Sequence, residues 1–260
     1  MTAALVGASG LMVVNAMARH TVVEEHIFGF KGKEVSMDLT VGEVAIVPGT
    51  VDDQILVRRR LTYGLRRPLV EERIDGDTFE IRDGDCAMPV GAICHIKWLL
   101  QVPPDLNLSI TTTSGNISVK SGMTGAVKLV STSGDVEARG AAGPAVQLLS
   151  HKGSVSGTGL RSSHVVATSN AGDISLTFRS PPKFVQGKAE TGFVEVVLPD
   201  GEETYKITAT AGGSKTIAAK QDDTSSRRII VDSEEGRVTV RDVSSTEEEA
   251  EEQSSATPRS

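Results

Sequence analysis

A chain of 260 residues with 3% aromatic residues, 26 glycines and a net charge of −7 has room for one sizeable core, or two small ones, made largely from Val, Ile, Leu and Ala. That composition suits short strands separated by turns. It excludes a helical bundle or a doubly wound sheet, because no apolar pattern of helical period and length occurs after residue 20, and the acidic balance excludes a general DNA-binding role, which needs a net basic face against phosphate.

Residues 1–18 carry no charge and are followed by Arg19. As a helix they span about 27 Å at ~1.5 Å per residue, just short of the ~30 Å hydrocarbon core. The segment is therefore expected to be a marginal membrane anchor or the apolar region of a signal peptide, with Ala16-Met17-Ala18 as an A-x-A cleavage pattern. Both lead to export, either as a cell-membrane protein with one N-terminal anchor or as a protein secreted after cleavage near Ala18. The usual preceding basic residues are missing, as they would be if translation began upstream. The stretch from Ala4 to Gly10 resembles the first turn of a dinucleotide-binding fold, but Val13 stands where a third glycine is needed and the chain has no second βα unit. No cofactor is expected.

Residues 50–104 read as an antiparallel meander, with strands over 54–60, 69–74, 78–81 and 94–102, placed to cap one end of the C-terminal part of the chain. That part is dominated by self-similarity, the sequence mark of a repeat architecture. Glycines recur at 115, 134, 153, 172, 192 and 212, spaced by 19, 19, 19, 20 and 20 residues; Gly236 continues the series after an insertion, and Gly42 is an isolated earlier copy. Two residues after them stand Val44, Ile117, Val136, Val155, Ile174, Val194 and Val238, and four after them another small or apolar residue, with mostly polar residues between. Seven and five residues before each glycine the same alternation holds, as in Leu108 and Ile110, Val127 and Leu129, Val146 and Leu148. Period-2 alternation marks a strand with one buried face.

Each repeat is thus strand, glycine corner, strand, turn. No single repeat buries its own apolar face, so the copies must stack in parallel register as a β-solenoid of about 19–20-residue coils. The glycines Gly115, Gly134, Gly153, Gly172, Gly192, Gly212 and Gly236 are expected to need φ > 0 or a close backbone approach. Around Gly212 the apolar pair is replaced by Ser214 and Thr216, which predicts a local bulge or kink. Residues 243–260 contain five glutamates and Arg259 and read as a disordered acidic tail. The organisation is an apolar segment at 1–20, an N-terminal coil and meander at 21–104, solenoid repeats at 105–242, and the tail.

The copies Thr113-Ser-Gly-Asn-Ile-Ser-Val119 and Thr132-Ser-Gly-Asp-Val-Glu-Ala138 resemble the serine-glycine-aspartate repeat of the candidate-adhesin family of bacterial β-strand-repeat proteins, a domain without assigned function. Residues 61–72, the Cys86…Cys94 pair and Val102-Pro103 resemble its actinobacterial branch. The similarity covers roughly residues 20–240. It implies a β-solenoid presented outside the cell from an N-terminal anchor, and no catalytic residues.

Cys86 and Cys94 are the only cysteines; in an exported protein such a pair on adjoining strands is most simply a disulfide, whereas a zinc site with His95 lacks a fourth ligand at recognisable spacing. The five histidines (20, 26, 95, 151 and 164) show no metal or triad spacing, and Gly212-Gly-Ser-Lys-Thr216 is not a phosphate-binding loop. Asp135 and Asp173, two rungs or ~9.6 Å apart, fall near the upper end of the range for an inverting glycosidase pair. Gly-Asp is, however, also ordinary turn chemistry, and Trp98 is the only tryptophan that could serve a sugar platform.

Arg58, Arg59, Arg60, Arg66 and Arg67 form the one basic cluster, with Arg58, Arg60, Arg66 and Arg67 as the candidate anion-binding patch. Alternation sends Arg58 and Arg60 to one face and Arg59 to the other, with Glu71 and Glu72 expected to neutralise part of it; the remainder would suit an anionic wall polymer or lipid headgroups. The function expected is a non-catalytic, adhesin-like structural or interaction module outside the membrane. Its partners would be the membrane, through the N-terminal segment, and a cell-wall polymer or another envelope protein. The rivals are a carbohydrate-active solenoid enzyme and an envelope-stress regulator.

Overall fold

The structure, a computed structural model, describes residues 19–83 and 94–243; the expected anchor at 1–18, Cys86 and the acidic tail from 244 lie outside the described residues. Among the described residues there are strands and no helix, and so none long and apolar enough to cross a membrane. In chain order the strands are β1 (His20–Gly29), β2 (Glu34–Val41), β3 (Glu43–Pro48), β4 (Gln54–Tyr63), β5 (Val70–Asp75), β6 (Thr78–Asp83) and β7 (Cys94–Val102). The coils of the regular series come next: β8 (Asn107–Ser114) with β9 (Ile117–Val119), β10 (Val127–Ser133) with β11 (Val136–Arg139), β12 (Ala145–Lys152) with β13 (Val155–Leu160), and β14 (His164–Ala171) with β15 (Ile174–Phe178). The last are β16 (Phe184–Thr191) with β17 (Val194–Leu198), β18 (Lys206–Ala211) with β19 (Lys215–Ala218), and β20 (Arg228–Ser233) with β21 (Val238–Asp242).

Each coil contributes one strand to an 11-stranded sheet and one to a 10-stranded sheet, which face each other across the core. Parallel pairing aligns Val44, Ile117, Val136, Val155, Ile174, Val194 and Val238 into one ladder. On the opposite sheet Val35, Leu108, Val127, Val146, Val165, Val185 and Ile229 form another. These side chains are at most 2% exposed. The alternation seen in sequence therefore becomes two rows of β-branched and leucine side chains that interlock between the sheets, each contributing on the order of 1.5–3 kcal/mol of burial.

The coil of Gly42, isolated in sequence, is adjacent in space: β2 pairs with β8 and β3 with β9. At the other end the spatial order departs from chain order. The Gly236 coil stacks directly on the Gly192 coil, and the Gly212 coil lies beyond it as the outermost rung. The expected bulge or kink at Gly212 is corrected to a shortened corner: residues 212–214 lie between Ala211 and Lys215, whereas residues 234–237 lie between their partners Ser233 and Val238. Ser214 and Thr216 therefore fall in the outward row, Thr216 beside Thr239. Lys215 and Ile217 take the ladder positions beside Val238 and Val240, on a rung with a neighbour on one side only and largely exposed strands.

The meander expected over 50–104 is also corrected. Its strands do not form one sheet but divide between the two faces. Phe79 and Ile81 of β6 align with Val35 and Met37, while Trp98 and Leu100 of β7 align with Val44 and Ile46, so both ladders gain a further rung. A separate meander would have covered one face of the column and left the other open. Outside this rung β4 and β1 add antiparallel to one sheet and β5 to the other. There the interior turns ionic. Arg59 donates from Nε to Glu24 and from Nη1 to Glu72, both at 2.7 Å, and His26 Nδ1 lies 2.9 Å from Glu72. Inward-pointing charge of this kind discourages further strand addition at a sheet edge.

Corner geometry explains the glycines. Gly153 has φ +149°, in the region that disfavours side chains, and a Cβ there would collide with the Gly134 carbonyl of the previous rung. Gly115, Gly134, Gly172 and Gly192 share that φ region, whereas Gly212 and Gly236 do not. At Gly236 it is close approach alone, to the Gly192 carbonyl, that excludes a side chain.

Candidate functional site

Three hydrogen-bond rows run along the corner. Backbone bonds repeat from rung to rung, as from Gly134 N–H to Lys152 C=O and from Gly153 N–H to Ala171 C=O, both at 2.9 Å. Buried hydroxyls three residues before the glycine donate to the preceding rung's glycine carbonyl: Ser131 to Gly115 (3.0 Å), Ser150 to Gly134 (2.8 Å), Ser169 to Gly153 (2.9 Å) and Ser233 to Gly192 (2.7 Å). This serine row escapes a reading that tracks only apolar positions. Its signal is the recurrence of Ser or Thr where the alternation of the −7 and −5 positions continues inward.

The third row belongs to the residue after the glycine. Asn116 Oδ1 accepts from Asp135 N–H, Asp135 Oδ1 from Ser154 N–H, and Asp173 Oδ1 from Phe193 N–H, at 2.8, 2.8 and 3.0 Å. Both carboxylates considered as a glycosidase pair therefore each tie one rung to the next.

The arginines separate into distinct environments. Arg58 pairs with Glu25 at 2.5 Å and Arg67 with Glu24; Arg59 is enclosed by Glu24 and Glu72, with its guanidinium 6.0 Å from the Trp98 ring. Burial of Glu24 opposes ionisation, but its hydrogen bond and charge contact with Arg59, reinforced by Arg67, hold its carboxyl below the ordinary 4.5. Arg60 and Arg66 are exposed and make no ion pair among the described residues. The four-arginine candidate patch is thereby reduced to two available cations, Arg60 and Arg66.

Cys94 opens β7 and is disulfide-bonded. His26 contacts Glu72, His164 contacts Ser163 and His20 lies against Tyr63; among the described residues no group of three or more His, Cys, Asp or Glu side chains is arranged to hold a metal. Trp98 is buried, at 2% exposure, and so is no sugar platform.

On the outer side of the 11-stranded sheet, beside the corner, two polar concavities lie on one line. The first, about 400 Å³, crosses four rungs and is lined by Glu43, Asn116, Ser118, Asp135, Glu137 and Ser156 among others. The second, about 430 Å³, is lined by Phe193, Glu195, Ser214, Thr216, Arg237 and Thr239. Within it the Arg237 guanidinium lies 5.1 Å over the Phe193 ring, a cation–π distance, and Glu195 accepts from Arg241 at 3.1–3.2 Å.

The Toastrack DUF4097 family model matches residues 99–254. No curated protein matches the sequence. Among solved structures, similarity is found to a candidate cell adhesion protein from Clostridium sporogenes (14% identity, covering 85% of this chain and 100% of that one, TM-score 0.37). Candidate adhesins from Bacteroides fragilis (13% identity, 85% and 97% covered, TM-score 0.43) and Parabacteroides distasonis (12% identity, 84% and 97% covered, TM-score 0.46) are similar too.

Proposed function

The chain belongs to the Toastrack DUF4097 family, a domain of unknown function, and from that premise we propose that it is a non-catalytic, adhesin-like interaction module of the cell envelope. Its registered polar faces act as the contact surface. The observation that carries this reading is the corner row: Asp135 and Asp173 each accept a backbone N–H from the next rung, an assignment to the scaffold rather than to bond cleavage. Export is supported by the disulfide-bonded state of Cys94, since such bonds persist in oxidising compartments, and by the uncharged segment at 1–18, which would tether the module or be removed near Ala18.

The test is co-sedimentation of the full chain with purified wall polymer, with the soluble fraction assayed for released reducing ends. Retention without release is the expected result. Release that disappears in Asp135→Asn or Asp173→Asn would instead identify the carbohydrate-active enzyme, and absence of retention would sink the contact role.

A further inference from the structure

We infer that the line of concavities beside the corner is a binding track for a neutral, linear glycan laid along the solenoid axis, with Phe193 and Arg237 as its anchor. This rests on the envelope-contact role proposed above and adds the ligand class and the residues.

Three observations converge. First, the two concavities continue one another: both are formed by outward residues one and three positions after successive corner glycines from the Gly42 rung to the Gly236 rung, with Asp173 and Ser175 on the rung between. On the Gly212 rung, where the corner is one residue shorter, the contribution comes from Ser214 and from Thr216, which pairs with Thr239. A groove repeating every ~4.8 Å suits a ligand that is itself a repeat on that scale, as an extended chain of β-linked pyranoses is.

Second, the anchor carries the two features that sugar recognition requires. Phe193 is the only aromatic residue at its position in the repeat, and it offers a partly exposed ring against which the C–H face of a pyranose can lie. Arg237 stacks on that ring, is exposed and makes no ion pair among the described residues. Its guanidinium is therefore pre-set to donate. The hydroxyls of Ser214, Thr216 and Thr239 share the concavity and can each donate or accept.

Third, charge decides the class of glycan. Glu43, Glu137 and Glu195 along the track are paired with Lys97, Arg139 and Arg241, and Asp135 and Asp173 each keep a carboxylate whose Oδ1 accepts a backbone N–H. The cations beside the track are thus already engaged, Arg237 apart, and offer a polyanion no surplus positive charge, whereas the remaining carboxylate lone pairs can accept hydrogen bonds from sugar hydroxyls. An anionic polymer belongs instead at Arg60 and Arg66, on the far end of the column.

The experiment is calorimetric titration of the full chain with chitohexaose, a neutral β-linked hexasaccharide. Saturable binding is expected, weakened about tenfold or more in Phe193→Ala and in Arg237→Gln, retained in Phe193→Trp, and unaffected by Arg60→Glu with Arg66→Glu. Because Phe193 and Arg237 face outward, unchanged melting temperatures will certify the folded variants. Equal affinity of Phe193→Ala and the parent chain overturns the track, as does failure to bind chitohexaose. If the chain then still retains whole wall polymer, only this inference falls; if it retains neither, the contact role falls with it.

Discussion

The Ser150 hydroxyl donates to the Gly134 carbonyl across 2.8 Å, joining two rungs through a side chain with no exposed surface. A buried donor is justified in an otherwise apolar column because its acceptor is a backbone carbonyl that the tight corner holds close by. Ser150→Ala is therefore expected to lower stability by about 1 kcal/mol, read as a shift in the urea midpoint without a change in slope. An unaltered midpoint would mean that the row is incidental.

Glycines at corners and elsewhere must behave differently. Gly153→Ala places a Cβ against the Gly134 carbonyl at positive φ, and a loss of more than about 3 kcal/mol, or failure to fold, is expected. Gly29, with nothing within 4 Å of an added Cβ, should accept alanine within about 0.5 kcal/mol. Thermal melts of the two variants side by side provide the check.

Position along the column sets the weight of equivalent side chains. Leu148, fully buried in a central rung, should cost about 2–5 kcal/mol on truncation to alanine. Ile217, partly buried in the outermost rung, should cost less than half as much. Similar losses at both sites would contradict the observed rung order.

Acid should weaken the N-terminal end. The Glu24 carboxyl is held below its ordinary value in the folded chain, so its contribution is complete above the unfolded value near 4.5 and is lost as pH falls through the depressed folded value. Glu24→Gln is expected to flatten the decline of melting temperature in that acid window while lowering stability at neutral pH. A parallel decline in both proteins would rule out Glu24 as a contributor.

If an anionic polymer binds the basic end, the arginines will not contribute equally. Arg58 is already paired with Glu25, so Arg60→Glu and Arg66→Glu should each reduce retention of that polymer more than Arg58→Glu, with the difference shrinking as salt is raised. Equal effects in a salt series would reject the division.

The column was legible because its cause is local and repeated. Ile117, Val136, Val155 and Ile174 meet as ladder partners since 19-residue spacing permits no other register without turning the apolar face outward. What escaped was non-local. Nothing in residues 206–218 says that a later coil will lie beneath them, and Ser214 and Thr216 resemble a broken apolar pair until the pairing with β21 shows Lys215 and Ile217 in register with Val238 and Val240. Strands β6 and β7 were recognisable as strands, but their partners, distant in sequence in β2 and β3, are chosen by two exposed ladders that a local pattern cannot display. The candidate site was hidden for a related reason. Phe193 interrupts a row of Asn, Asp and Ser, and only the neighbouring rung, with Arg237, makes that exception an anchor.

The exchange of order between the last two coils bears on how the chain assembles. Residues 206–218 leave the ribosome before 228–242, yet their place on the column does not exist until the later segment has docked against β16 and β17. Growth of the stack from one end to the other, the simplest path for a repeating chain, therefore ends at the Gly192 coil. The final step is a closure in which the younger strands slot in beneath the older ones and seat them as a lid.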